Sequence, residues 1–152
     1  MTKVAINAMV AGLGPVVDGV AVHAIEPTNY KSGVDSADTK IRLLLPSTEG
    51  DTHSGEPKGL GAQTRMVWTI KDLYLHTLAG EGLGWLDIGY ELDAYCDEYV
   101  AKLTAANHST TGFCSIAAEV LSWTILVGEY TYNARKYMGV LVTLQVLDHV
   151  QA

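Results

Sequence analysis

From Gln63 to Leu75 the chain alternates. Thr64, Met66, Trp68, Ile70 and Tyr74 fall on one side and Gln63, Arg65, Thr69 and Lys71 on the other, with Asp72 breaking the apolar row. A period of two over this span predicts a long strand with one wet face. From Trp85 to Ala105 the period changes. Trp85, Ile88, Leu92, Tyr95, Cys96, Tyr99 and Leu103 recur at three- and four-residue steps, while Asp87, Glu91, Asp97, Glu98 and Lys102 fall mostly off that stripe. This is the main helix. Ile6, Met9, Val10 and Leu13 share a face in the same way, so a short N-terminal helix runs from the Thr2 cap to about Ala11, with Gly12 and Gly14 as stops. Leu13-Gly14-Pro15 then forces a turn.

Val16 to Ile25 and Lys40 to Leu45 read as strands, closed by Glu26-Pro27 and by Pro46. Residues 28–39 form a polar loop. Residues 47–61, STEGDTHSGEPKGLG, hold four glycines and one proline among small polar residues, a composition that does not favour a packed element. Leu78 to Gly84 is a glycine-rich break, and Asn107 to Gly112 ends the helix. In Ser115 to Tyr130 two patterns compete: Ala117, Ala118 and Glu119 favour helix, whereas Leu121, Trp123, Ile125 and Val127 against Ser122 and Thr124 favour strand. The second half is read as strand. Residues 131–136 read as a polar turn, and Tyr137 to Leu147 as a strand apolar on both faces, giving a hairpin from about 119 to 148. The order α-β-β-β-α-β-β predicts an α+β fold: an antiparallel sheet of about four to five strands packed against one long helix (about 85–105) plus a short N-terminal helix. Residues 1–152 make a single domain with no internal repeat.

Charge and composition narrow the function. Net charge is −7, which argues against non-specific nucleic-acid binding, because that needs Lys and Arg to replace counterions. Two cysteines, Cys96 and Cys114, are too few for a disulfide framework; a single bridge stays open beside the reading of two buried thiols. Asn7, Pro15 and Asp18 interrupt the apolar stretch after Lys3, so no secretory signal is read, and Val120–Val127 is too short to span a bilayer. The expectation is a soluble protein made in a reducing cytoplasm, with no membrane partner.

Candidate chemistry is sparse. His23, His53, His76, His108 and His149 fall at no zinc-motif spacing. Gly55-Glu56-Pro57-Lys58-Gly59-Leu60-Gly61 lacks the Gly-Lys-Ser/Thr ending of a phosphate loop and precedes a strand. Asp87, Glu91, Asp97 and Glu98 read as a solvated helix face rather than an acid–base pair. There is no Gly-x-Ser-x-Gly elbow, and Asn107-His108-Ser109 has meaning as a glycosylation acceptor only in a secreted chain. The expectation is no enzyme, no cofactor and no metal. Around the hairpin turn, Tyr130, Tyr132 and Tyr137 cluster with Arg135 and Lys136, either as an ordinary exposed turn or as a tip that meets another subunit. Candidate protein-contact residues are His53, Glu56 and Lys58 in the glycine-rich loop, and Tyr130, Tyr132, Arg135 and Lys136 at the tip.

Two strand patterns carry a resemblance. Arg65, Trp68, Thr69 and Ile70 fit an R-x-x-W-T-(apolar) strand after the loop, and Tyr137, Gly139, Thr143, Leu144 and Val146 fit a closing Y-x-G-(apolar)-x-(apolar)-T-(apolar)-x-V strand. With the order of elements, the chain resembles the tail-terminator (tail-completion) proteins of long-tailed bacteriophages. The resemblance covers nearly the whole chain in architecture, while the 28–39 and 47–61 loops are somewhat long for the family. It implies a virion protein, assembled in the host bacterial cytoplasm, that forms a ring commonly of six subunits. The ring caps the tail tube and joins it to the head–tail connector or neck, so the partners are further copies of the chain, the tail tube protein and the connector. DNA passes through such a ring without sequence-specific binding, and acids such as Glu91, Asp97 and Glu98 would repel it if they line the channel. Two alternatives are another neck or tail-tube subunit of similar fold and a small-ligand-binding α+β domain.

Overall fold

A computed structural model describes residues 6, 10, 21–23, 40–45, 47–58, 63–80, 85–108, 118–132 and 134–151. Six strands and one long helix follow in order: β1 (Ala21–His23), β2 (Ile41–Leu45), β3 (Ser54–Lys58), β4 (Gln63–Leu78), α1 (Trp85–His108), β5 (Ala118–Tyr132) and β6 (Arg135–Gln151). Ile6 and Val10 are also helical and fully buried. The ends of the expected N-terminal helix, the 14–15 turn, most of the 16–25 strand and the 28–39 loop lie outside the described residues.

The six strands form one sheet in the order β1-β2-β4-β6-β5, with β3 also paired to β4. Only β1 and β2 pair in parallel. Among the described residues 61% are strand and 26% helix. This corrects the expected α+β class: the chain is largely a β fold with one helix. The excess comes from strand length. β4, β5 and β6 run for 16, 15 and 17 residues, against about 5–6 in an ordinary strand. At the β5–β6 hairpin the strands continue past the core, where Thr131, Arg135 and Lys136 are exposed.

Two local expectations also change. The glycine-rich segment contains β3, which pairs antiparallel with residues 63–67 of β4. Its preceding turn is pinned to β4 from above. Thr69 donates its hydroxyl to the Thr52 carbonyl at 2.6 Å, and Lys71 reaches both Thr48 Oγ1 and the Asp51 carboxylate at 2.8 Å. Backbone ladder bonds from β4 stabilise a segment whose own composition disfavours structure. The polar turn expected at 131–136 is in fact mostly strand: Thr131 pairs with Lys136 and Tyr132 with Arg135. The chain reverses around Ala134, which takes the left-handed conformation at φ 61°.

Helix α1 lies on one face of the sheet. Its stripe of Ile88, Leu92, Tyr95, Tyr99 and Leu103 packs with Leu44, Ile70, Tyr74, Met138, Val140, Val142, Leu144 and Val146. Trp85, at the first position, extends beyond this core and is largely exposed. Ile41, Leu43, Leu73, Leu75 and Tyr137 form a second cluster on the opposite face, with Tyr130 and Tyr132 against it. The β4–β6 ladder shifts register between Leu75 and Thr77. At this shift Gly139 meets β4 so closely that a Cβ there would lie 2.0 Å from the Tyr74 carbonyl oxygen. Glycine at 139 is therefore a packing requirement of the two central strands.

Candidate functional site: a buried ionic core and an open sheet edge

Asp72, the break in the β4 alternation, points into the core beneath α1. Its partner is Arg42, the second residue of the otherwise apolar β2, directed to the same face. Both side chains are wholly buried. Arg42 Nε donates to both Asp72 oxygens at 2.9–3.0 Å and Nη2 to Oδ2 at 2.7 Å. Nη2 also donates to the Val10 carbonyl at 3.0 Å. From α1, the Tyr99 hydroxyl donates to Asp72 Oδ2 at 2.5 Å, and the Arg42 guanidinium lies 5.6 Å from the centre of the Tyr99 ring. Burial opposes the Arg42 charge, but attraction and hydrogen bonding to Asp72, then weaker attraction to Tyr99 and Tyr95, outweigh it and hold the pKa above its ordinary value. The cluster ties β2, β4, α1 and the Val10 backbone together.

A second polar chain runs beside it. The Tyr74 ring stacks on Tyr95 at 3.9 Å between centroids. The Tyr74 hydroxyl lies 2.7 Å from His76 Nδ1, and His76 Nε2 lies 2.5 Å from the Glu91 carboxylate. Each ring nitrogen of His76 therefore has a partner, Nδ1 the Tyr74 hydroxyl and Nε2 the Glu91 carboxylate. A hydroxyl, an imidazole and a carboxylate in this order also describe an activated nucleophile. Here, however, Tyr74 is buried against Tyr95 and presents no open face to a substrate. The chain fastens α1 to β4. Among the described residues no group of three or more His, Cys, Asp or Glu could hold a metal ion. No helix among them is long and apolar enough to cross a membrane.

The tyrosines give this core an alkaline limit. Burial, with Glu91 adding, pushes the Tyr74 pKa up to about 12 from 10.0. Burial and then Asp72 raise Tyr95 and Tyr99 as well. A raised folded-state value means the fold favours the neutral phenol. Its contribution is complete below the unfolded value near pH ~10 and is lost as pH rises towards ~12. Tyrosinate absorbance should therefore include a late step above about pH 10 that coincides with loss of the far-ultraviolet β signal. Complete ionisation near pH ~10 with the fold intact would contradict the buried cluster.

The seven candidate contact residues fall in two groups at opposite ends of the sheet. His53, Glu56 and Lys58 belong to the β3 side, near the start of β4. The His53 ring is engaged internally: Nδ1 accepts from the Thr69 N–H at 3.2 Å, Nε2 lies 3.2 Å from Ser47 Oγ, and the ring leans on Trp68. Glu56 is exposed and 3.5 Å from Arg65. Lys58 ends β3 opposite Gln63. Tyr130, Tyr132, Arg135 and Lys136 are brought together where β5 turns into β6. Tyr130 is half-buried and donates to the Leu126 carbonyl at 2.6 Å. Tyr132 is half-buried, and Arg135 and Lys136 are exposed.

Sequence reasoning did not single out the edge itself. Among the described strands β5 is outermost, and Leu121, Trp123, Leu126 and Val127 are all exposed on it, Leu126 to 62%. The two other edge strands among the described residues, β1 and β3, are blunted. β1 has three residues, and β3 has five with Pro57, Glu56 and Lys58 among them. β5 has 15 residues, no Pro and no Lys or Arg, and its only charges are Glu119 and Glu129. The signal was present as the uncharged run from Val120 to Gly128. The pattern alone, however, could not say that the strand lies at the edge rather than the centre of the sheet. Compared with known proteins, the chain matches no protein-family model, and no curated protein is significantly similar to it.

Proposed function

We propose that this protein is a non-enzymatic structural subunit of a phage virion, one that assembles with its own copies into a ring capping the tail tube and joining it to the neck. The observation that carries self-assembly is the β5 edge, which no other strand among the described residues pairs. A long edge strand presents a row of N–H and C=O groups to any compatible strand, and soluble proteins ordinarily block such rows. Here the row is flanked by exposed apolar side chains. Pairing it with a neighbouring subunit satisfies the backbone groups and removes those side chains from water together. The sheet's other edges differ from β5 in length and charge. Joining unlike surfaces makes a head-to-tail contact, which closes into a ring when the rotation allows.

The phage assignment rests on the resemblance. Its two strand patterns fall on β4 and β6, which pair with each other along nearly their whole length. In the proposed ring one face meets the tube and the other the connector. The acidic chain, with net charge −7, disfavours adhesion to passing DNA.

The edge is testable by giving β5 the protection it lacks. Leu126→Lys adds a charge at an exposed position and leaves the core untouched. Light scattering should report a multimer for the natural chain and a monomer for the variant, with matching circular dichroism. A variant that assembles as well as the natural chain would show that β5 is not the joining edge.

A further inference from the structure

We infer that the β5–β6 hairpin tip of one copy docks on the outer stripe at the start of α1 of a second copy, with Arg135 and Lys136 against Asp93 and Asp97 and the turn against Leu86 and Tyr90. The inference rests on the self-assembly reading and names one contact within it.

The receiving surface is unusual for a helix. Leu86 and Tyr90 are 93% and 85% exposed, and Trp85 beside them is 44% exposed. Leu86, Tyr90, Asp93 and Asp97 follow at four-, three- and four-residue steps, so they form one continuous stripe. That stripe faces away from the sheet, because Ile88, Leu92, Tyr95 and Tyr99 hold the opposite side. Trp85, Leu86, Gly89, Tyr90 and Asp93 line a shallow depression there, and Gly89 leaves its floor without a side chain. Apolar side chains at one end and carboxylates at the other describe an occupant with an apolar body and basic groups.

The chain itself supplies that chemistry. Arg135 and Lys136 are the only adjacent basic pair in the sequence. Both are exposed at a tight turn with Tyr132 beside them. Among the described residues, neither they nor Asp93 and Asp97 take part in an ion pair. Geometry explains why one copy does not satisfy itself. The tip continues the β5–β6 ladder, with Thr131 opposite Lys136 and Tyr132 opposite Arg135, whereas the stripe lies on the side of α1 turned away from the sheet. Both nevertheless sit at the same end of the subunit. Helix α1 runs antiparallel to β4, since Glu91 meets His76 and Tyr99 meets Asp72, and the Ala79 N–H bonds to the Lys136 carbonyl at that end. Copies standing side by side around an axis along the strands have these ends at one level. The tip of each can then reach the helix start of the next. Charge complementarity of this kind sets register and orientation more than raw affinity, and Arg135 gains further from stacking on Tyr90.

The test uses the full chain and two charge-reversed variants, R135E/K136E and D93K/D97K, followed by sedimentation velocity and native mass spectrometry. All four positions are exposed, so circular dichroism should match the natural chain. Each variant alone should sediment as a monomer at a concentration where the natural chain is fully assembled. Mixed in equal amounts they should assemble again with the two variants alternating, because every tip then meets a helix of opposite charge. Assembly of R135E/K136E alone at the natural level would overturn the tip-to-helix contact and leave the β5 edge reading intact. Failure of the mixture to reassemble would also overturn it. A natural chain that stays monomeric at every concentration would overturn both.

Discussion

Replacing Asp72 by alanine is expected to destabilise the protein by about 3–5 kcal/mol, the cost of leaving a buried charge without its partner. Arg42 cannot shed its proton and has no route to solvent, since its side chain is fully buried. Three of the hydrogen bonds that compensate its desolvation go to Asp72, and a further one goes to the Val10 carbonyl, a neutral acceptor. The Tyr99 hydroxyl would lose its acceptor in the same change. Urea unfolding followed by tryptophan fluorescence would give the difference. The double change Arg42→Leu with Asp72→Leu separates the cost of a broken pair from the worth of the pair itself. Because an apolar pair of similar volume often replaces a buried ion pair at little cost, the double variant should recover most of the loss. A single-variant loss below about 1 kcal/mol would mean that Arg42 finds water or another anion, and that the buried cluster is not as described.

Gly139→Ala is expected to cost about 3 kcal/mol, by forcing two central strands apart. The added methyl would lie 2.0 Å from the Tyr74 carbonyl oxygen and 3.1 Å from its carbon. Both obstacles are backbone, and Tyr74 is held by Tyr95 on one side and His76 on the other. Relief therefore requires the ladder itself to move at the Leu75/Thr77 register shift. Gly55 provides the internal comparison. A methyl there meets Met66 Sδ at 2.2 Å, a flexible side-chain atom on the sheet margin. Gly55→Ala should cost about 1 kcal/mol or less, because methionine repacks readily. Equal unfolding midpoints for the two variants would contradict the close approach at Gly139.

What was legible in the sequence follows from where solvent meets the fold. β4 and α1 each have one wet and one dry face along most of their length, so their periods survive in the residue pattern. The Trp85–Ala105 helix is found three residues short of its end at His108. Asp72 stood out as a break in the β4 row, but Arg42 was passed over inside the apolar strand reading of Lys40 to Leu45, and nothing local joins two residues 30 positions apart. β3 was missed because Gly55 and Pro57 disfavour a strand in isolation, whereas β4 supplies its ladder and Lys71, Thr69 and His53 hold the turn before it. The hairpin tip was misjudged for the opposite reason. Thr131, Arg135 and Lys136 extend past the core, and a solvent-exposed strand end has the composition of a turn. The contact residues proposed around it were visible as a cluster of Tyr and basic residues. The exposed β5 edge was not, since its exposure depends on the order of strands in space, and Leu86 and Tyr90 were passed over although they fall off the buried stripe of α1.

Self-assembly into a tube-capping ring is tested most directly by electron microscopy of purified tail tubes mixed with the full-length protein. The expected result is a ring of added density at one end of each tube, together with an arrest of further tube growth. Bare tube ends beside a chain that remains monomeric by light scattering in the same mixture would contradict it.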